Sequence, residues 1–148
     1  MADFTAHADA FIAASPQEVW DVITSAEPHP EILAGARIVT DWALGAQIRW
    51  IGEWEGKTFE DHGRVLEVEE PYRLVVTHFS PMSGQADVPE NYHTLRYELL
   101  AVDGGTRVEL DQDNNPTAEA AEHSAENWRD MLDGVRTVVE RSTTAPPR

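Results

Sequence analysis

The chain has 148 residues and a formal net charge of −16, with 27 acidic against 11 basic side chains. This length is typical of one domain with a sizeable core, and the negative field opposes binding to nucleic acid or anionic lipid. The chain has no cysteine, which excludes disulfides, thiolate nucleophiles and zinc–thiolate sites. Residues 1–4 lack the features of a signal peptide, and no apolar run is long enough to span a membrane, so we expect a cytoplasmic protein without membrane insertion.

The first predicted elements are a strand and a short helix. Residues 4–14 alternate loosely between apolar and polar side chains, as a strand with one buried face does. Ser15-Pro16-Gln17-Glu18 is a capping box with proline in the first helical position, and it predicts a helix that ends near Ser25. Two prolines restrict the backbone that follows, and a second short helical turn is predicted at residues 31–34.

From residue 36 to residue 110 the apolar pattern has a period of two, which predicts an antiparallel meander of strands joined by short turns. The strands are expected at residues 37–41, 46–54, 58–69, 73–79, 92–102 and 106–111. Gly63 interrupts the longest of them, which indicates a bulge or a strong bend and therefore a concave sheet. The loop Ser80–Glu90 is the longest irregular stretch, and we expect it near the mouth of a cavity.

A long amphipathic helix is predicted over Thr117–Glu140. Its apolar residues recur at steps of three and four, at Ala121, Ala125, Trp128, Leu132, Val135 and Val139. The opposite side is charged, so the helix should lie across a core with one face in water. We therefore expect a single domain over residues 1–142 and a flexible C-terminal tail over residues 143–148.

These elements predict an α+β fold in which a curved antiparallel sheet of about seven strands wraps around the long C-terminal helix, with two short helices after the first strand. The order of elements and four groups of residues resemble the START/SRPBCC superfamily of helix-grip, Bet v allergen-like proteins. The groups are Ala14–Trp20, Val65–Val68 with Pro71 and Arg73–Val75, Gly104–Val108, and Trp128 with Met131 and Leu132. Within the superfamily they are similar to the branch named after the heat-shock protein 90 ATPase activator. The resemblance implies an apolar cavity for a hydrophobic ligand, and it implies no shared catalytic motif.

Strand parity predicts which side chains face that cavity. Residues of like parity on three strands, together with the apolar face of the helix, give the expected ligand-binding set: Ile48, Trp50, Val76, His78, His93, Leu95, Tyr97, Trp128 and Leu132. Such a pocket would orient one polar group of an apolar ligand. The alternative is that the same side chains fill a closed core.

The functional hypothesis is binding of a small hydrophobic molecule, without a cofactor. A second hypothesis is a polyketide cyclase/dehydratase-like enzyme in which His78, His93 or Tyr97 is the general acid or base. Arg96 has the opposite parity to Tyr97 and is expected in solvent. A third hypothesis, carried by the family resemblance, is a chaperone-interacting, activator-like module, although no second domain or basic motif supports it. Homodimerisation through a sheet edge or the helix is compatible with such a domain.

No metal site is predicted. Asp111–Asn115 has the spacing that begins a calcium loop but lacks its glycine and distant glutamate, so we expect an acidic turn before the last helix. The histidines outside the expected ligand-binding set, His7, His29, His62 and His123, show no metal-ligand spacing in the sequence. A solvated outer face is the expected place of the acidic residues of the middle strands, Glu53, Glu55, Glu60, Asp61, Glu67, Glu69 and Glu70.

Overall fold

The structure is a computed structural model that describes residues 4–143. The helices are α1 (Pro16–Ile23) and α2 (Ala118–Thr143), and the strands are β1 (Phe4–Ile12), β2 (Arg37–Val39), β3 (Gln47–Trp54), β4 (Lys57–Glu69), β5 (Arg73–His78), β6 (His93–Val102) and β7 (Gly105–Asn115). The strands form one curved antiparallel sheet in the order β1-β7-β6-β5-β4-β3-β2. With α2 packed against β1 and β7, this arrangement confirms the predicted helix-grip fold.

The two helices cover one face of the sheet and close the core. The capping box at Ser15 and Glu18 is formed in both directions, and Trp20 of α1 is buried beneath it. The predicted stripe of α2 faces the core, where Leu132 and Val135 are completely buried. None of the described helices is long and apolar enough to cross a membrane. Helix α2 continues to Thr143, three residues beyond its predicted end, and the predicted tail beyond it lies outside the described residues.

The second predicted helical turn is left-handed and lies slightly later in the chain. Leu33, Ala34 and Gly35 have φ angles of 50°, 54° and 81°. Glu31, two residues before this turn, lies against α2. A Cβ atom added at Gly134 would be only 1.8 Å from the Glu31 carbonyl oxygen. Proline restriction alone therefore predicts a turn here but not its handedness.

The segment predicted as an acidic turn is instead the end of β7, which reaches Asn115. The Asn115 side chain is buried and donates hydrogen bonds to the carbonyl groups of Phe4 and Gln112. The bond to Phe4 joins β7 to β1 directly before α2 begins, and the bond to Gln112 lies within β7. Short polar residues usually mark turns, and the prediction was wrong because tertiary hydrogen bonds keep this segment in the sheet.

The sheet bends where β4 changes partner. Residues up to Arg64 pair with β3, and the pairing with β5 has its register shift between Val65 and Glu67. The bulge is therefore at Leu66, three residues after the glycine at which it was expected. Gly63 has a different role: a Cβ atom there would lie 1.8 Å from the carbonyl oxygen of Thr77, so only glycine allows β5 to approach this closely.

We expect Gly63→Ala to lower the free energy of unfolding by more than about 3 kcal/mol, since the added methyl group would overlap the backbone of β5. Gly56→Ala is the matched control: its position has a φ of +80° and no atom within 4 Å of an added Cβ. That variant should lose only about 1–2 kcal/mol, from backbone strain. Urea unfolding of both variants measures the difference, and equal losses would contradict the close approach.

Candidate functional site

A cavity of about 220 Å³ lies between the sheet, α2 and the loop that precedes β2. Its lining residues come from the loop, four strands and α2: Leu33, Ala36, Trp50, Phe59, Asp61, His78, Leu95, Tyr97 and Trp128. Leu33, Phe59 and Trp128 are partly exposed, so the cavity reaches the surface. Of the predicted set, Trp50, His78, Leu95, Tyr97 and Trp128 are brought together around this space.

The other predicted residues do not line the cavity. Three of them are fully buried in the close-packed core between the sheet and α2: Ile48, Val76 and Leu132. His93 is next to His78, with 6.3 Å between ring centroids, and its Nδ1 atom lies 2.8 Å from the Asp113 carbonyl oxygen. Parity identifies which face of the sheet a side chain is on. Its position along the strand determines whether it packs in the core or lines the cavity.

Sequence reasoning missed Leu33, Ala36, Phe59 and Asp61. Asp61 was expected on the solvated outer face, but its side chain is only 16% exposed and lines the cavity. The available signal was parity, because Phe59, Asp61 and Val65 alternate on one face and Val65 is completely buried. The loop Ser80–Glu90 does not contribute to the cavity lining, and its Asp87 is hydrogen-bonded instead to His62 and Tyr92.

Asp61 and His78 form a polar pair inside this mostly apolar cavity. His78 Nε2 lies 2.9 Å from Asp61 Oδ2, and the His78 side chain is 18% exposed. The imidazole ring packs against the Trp50 ring in a T-shaped arrangement, with 4.9 Å between ring centroids. The two remaining polar atoms, Asp61 Oδ1 and His78 Nδ1, are buried and have no hydrogen-bond partner within the described part of the chain. With an ionised carboxylate, Nε2–H donates to Asp61 and leaves Nδ1 of the neutral imidazole as an acceptor.

Two aromatic residues fix the opposite walls. Burial raises the pKa of Tyr97, so its hydroxyl group remains protonated and can donate a hydrogen bond. The Trp128 indole N–H donates to Gln112 Oε1 at 2.9 Å, and Gln112 itself is buried. Trp128 and Leu33 also line a second cavity of about 180 Å³. Across residues 4–143, no group of three or more His, Asp or Glu side chains is arranged to hold a metal ion.

Comparison with known proteins identifies a family for this chain. The family model described as Activator of Hsp90 ATPase homolog 1-like protein matches residues 13–140. No curated protein sequence matches the chain. The solution structure of ChR145 from Cytophaga hutchinsonii is 40% identical, with 96% of this chain and 97% of that chain covered and a TM-score of 0.81.

Two more distant structures share the fold. The Aha1 dimer from Colwellia psychrerythraea is 17% identical over 93% of this chain and 96% of that chain, with a TM-score of 0.70. Ara h 8.0201 is 12% identical over 93% of this chain and 98% of that chain, with a TM-score of 0.69. At these identities the likeness extends to the fold alone.

We expect Gln112→Ala to lower the free energy of unfolding by about 1–3 kcal/mol, because it removes the acceptor of the Trp128 N–H and leaves a gap under the ring. Asn127→Ala is the control, since Asn127 is exposed on the rim of the neighbouring cavity. Its effect should be within about 0.5 kcal/mol. Urea unfolding followed by tryptophan fluorescence measures both, and a Gln112→Ala protein as stable as the control would refute the anchoring role.

Proposed function

The chain belongs to the family of Activator of Hsp90 ATPase homolog 1-like proteins, and we propose that it binds a small hydrophobic ligand in the cavity beside Trp128. The cavity itself carries this proposal. Seven of its nine lining residues are aliphatic or aromatic, and the other two, Asp61 and His78, pair with each other. A concave apolar space with a few convergent polar groups is the usual form of a small-molecule site.

The volume limits the size of the ligand. The cavity of about 220 Å³ exceeds the engineered cavity of about 150 Å³ that holds benzene. It is smaller than the range of about 300–1,000 Å³ that is typical of sites for drug-sized ligands. A ligand with one aromatic ring and a short substituent therefore fits better than a lipid or a polyketide. A larger ligand would require Trp128 to move toward the second cavity.

The Asp61–His78 pair supports the enzyme hypothesis as the second candidate. A carboxylate that accepts from Nε2–H orients the ring and leaves Nδ1 as a base inside an apolar site, which is an arrangement used in general acid–base catalysis. His93 lies beside His78, and Tyr97 offers a protonated hydroxyl in the same cavity. The catalytic candidates are then His78 as the base, Asp61 as its orienting partner and Tyr97 as a donor.

Native mass spectrometry of the purified protein, compared with the denatured sample, tests for a co-purified ligand. A released compound would be assayed for turnover with the wild-type protein and with His78→Gln. Loss of turnover in a variant that still binds the compound would favour the enzyme. Binding without turnover in either protein would favour a binding protein. If no ligand is found, the family name makes a chaperone interaction the next hypothesis, and the Aha1 dimer makes self-association worth measuring with it.

We expect Ala36→Leu to weaken the binding of toluene, a one-ring apolar probe, by at least about tenfold, because the larger side chain would occupy the cavity. Ala36 is buried and lines the cavity, whereas Ala43 is exposed in the loop before β3. Ala43→Leu adds the same side chain elsewhere and should leave the affinity unchanged. NMR titration of both variants measures the affinity. Equal toluene binding by wild type and Ala36→Leu would place the ligand elsewhere.

A further inference from the structure

Resting on the proposed function, we propose that the ligand of this cavity carries a protonated amine, which binds the Asp61 carboxylate. The inference concerns the chemical class of the ligand. It starts from the two buried polar atoms, Asp61 Oδ1 and His78 Nδ1, that have no partner within residues 4–143.

With the imidazole in its neutral form, both unpartnered atoms are acceptors. The carboxylate has only acceptor oxygens, and one of them, Oδ2, already accepts from His78 Nε2 at 2.9 Å. That bond leaves Nδ1 of the neutral imidazole with a lone pair. A buried acceptor without a donor costs about 1–3 kcal/mol, and a ligand that donates to Asp61 Oδ1 recovers this cost.

Charge distinguishes one functional group from another. An alkylammonium group has three N–H donors and carries the charge opposite to that of Asp61. An alcohol can donate one hydrogen bond to Asp61 Oδ1 but brings no charge. A carboxylate has no donor and would add a second negative charge beside Asp61.

The charge of the surroundings agrees with this choice. Among the residues that line the cavity, Asp61 is acidic and none is lysine or arginine. The whole chain carries a net charge of −16, so its field attracts a cation and opposes an anion. A buried carboxylate without a full counter-charge is costly, and an incoming ammonium group completes the pair.

The aromatic walls are suited to the same group. Four of the lining residues are Trp50, Phe59, Tyr97 and Trp128. The faces of aromatic rings attract a cation, tryptophan most strongly, and the effect grows when the site excludes water. Aromatic walls around one carboxylate therefore favour an amine over a neutral molecule of the same shape.

A matched series of one-ring compounds tests the inference: benzylamine, benzyl alcohol, benzoate and toluene. Isothermal titration calorimetry at neutral pH should show benzylamine binding at least about tenfold more tightly than benzyl alcohol, and benzoate most weakly. Equal or tighter binding of benzyl alcohol or benzoate would overturn the inference.

The variant Asp61→Asn keeps the shape of the side chain and removes its charge. It should weaken benzylamine binding by at least about tenfold and change toluene binding by less than about threefold. Asp103→Asn removes the same charge from an exposed turn and should leave the ranking unchanged. An equal loss of benzylamine affinity in both variants would show that the effect comes from the net charge of the protein and not from Asp61. If Asp61→Asn fails to fold, the ranking on the wild-type protein still decides the matter.

The outcomes separate the two proposals. Suppose that toluene binds the wild-type protein more tightly than Ala36→Leu, but that benzylamine binds no more tightly than benzyl alcohol. The amine inference then fails and the proposed hydrophobic site stands. If none of the four compounds binds the wild-type protein, the hydrophobic site itself fails and the inference fails with it.

Discussion

The close contact between α2 and the loop before β2 determines whether this protein has a cavity. Gly134 leaves room for the Glu31 carbonyl against the helix, and Arg141, about two turns later, binds the Glu31 carboxylate at 2.8 Å. The loop then turns through residues with positive φ, which places Leu33 and Ala36 opposite the sheet. Two of these residues are not glycine, and such backbone strain persists only where neighbouring contacts hold it. The wall of the cavity is therefore held by the helix.

A second close approach brings the polar pair together. Gly63 is opposite His78 in the ladder, because His62 pairs with Phe79. Asp61 is two residues away on the same face, so His78 and Asp61 are diagonal neighbours across β4 and β5. A side chain at residue 63 would overlap the backbone of Thr77 and His78 and would keep β4 and β5 apart. The close approach at Gly63 thus allows the imidazole to reach the carboxylate.

The sequence was sufficient for the fold and for about half of the cavity lining, since both follow from periodicity. Alternation located Trp50, His78, Leu95 and Tyr97 on inward faces, and the helical stripe included Trp128. The left-handed turn at residues 33–35 depends on a contact with α2 that lies about a hundred residues away in the chain. Asp61 was misplaced because composition was given more weight than parity. An acidic side chain among many others suggests a solvated face, but its alternation with Val65 was the better guide.

The polar pair also bears on the choice between a closed core and a binding site. A core that serves stability alone gains from apolar side chains, and replacing a buried ion pair with them is often neutral or stabilising. Here the pair is partly buried, two of its polar atoms are buried and unsatisfied, and open volume lies beside it. Each of these features lowers stability in the free protein, and the proposed ligand would fill the open volume and donate to the carboxylate. A packing role explains Ile48, Val76 and Leu132, whereas the proposed ligand would explain Asp61 and His78.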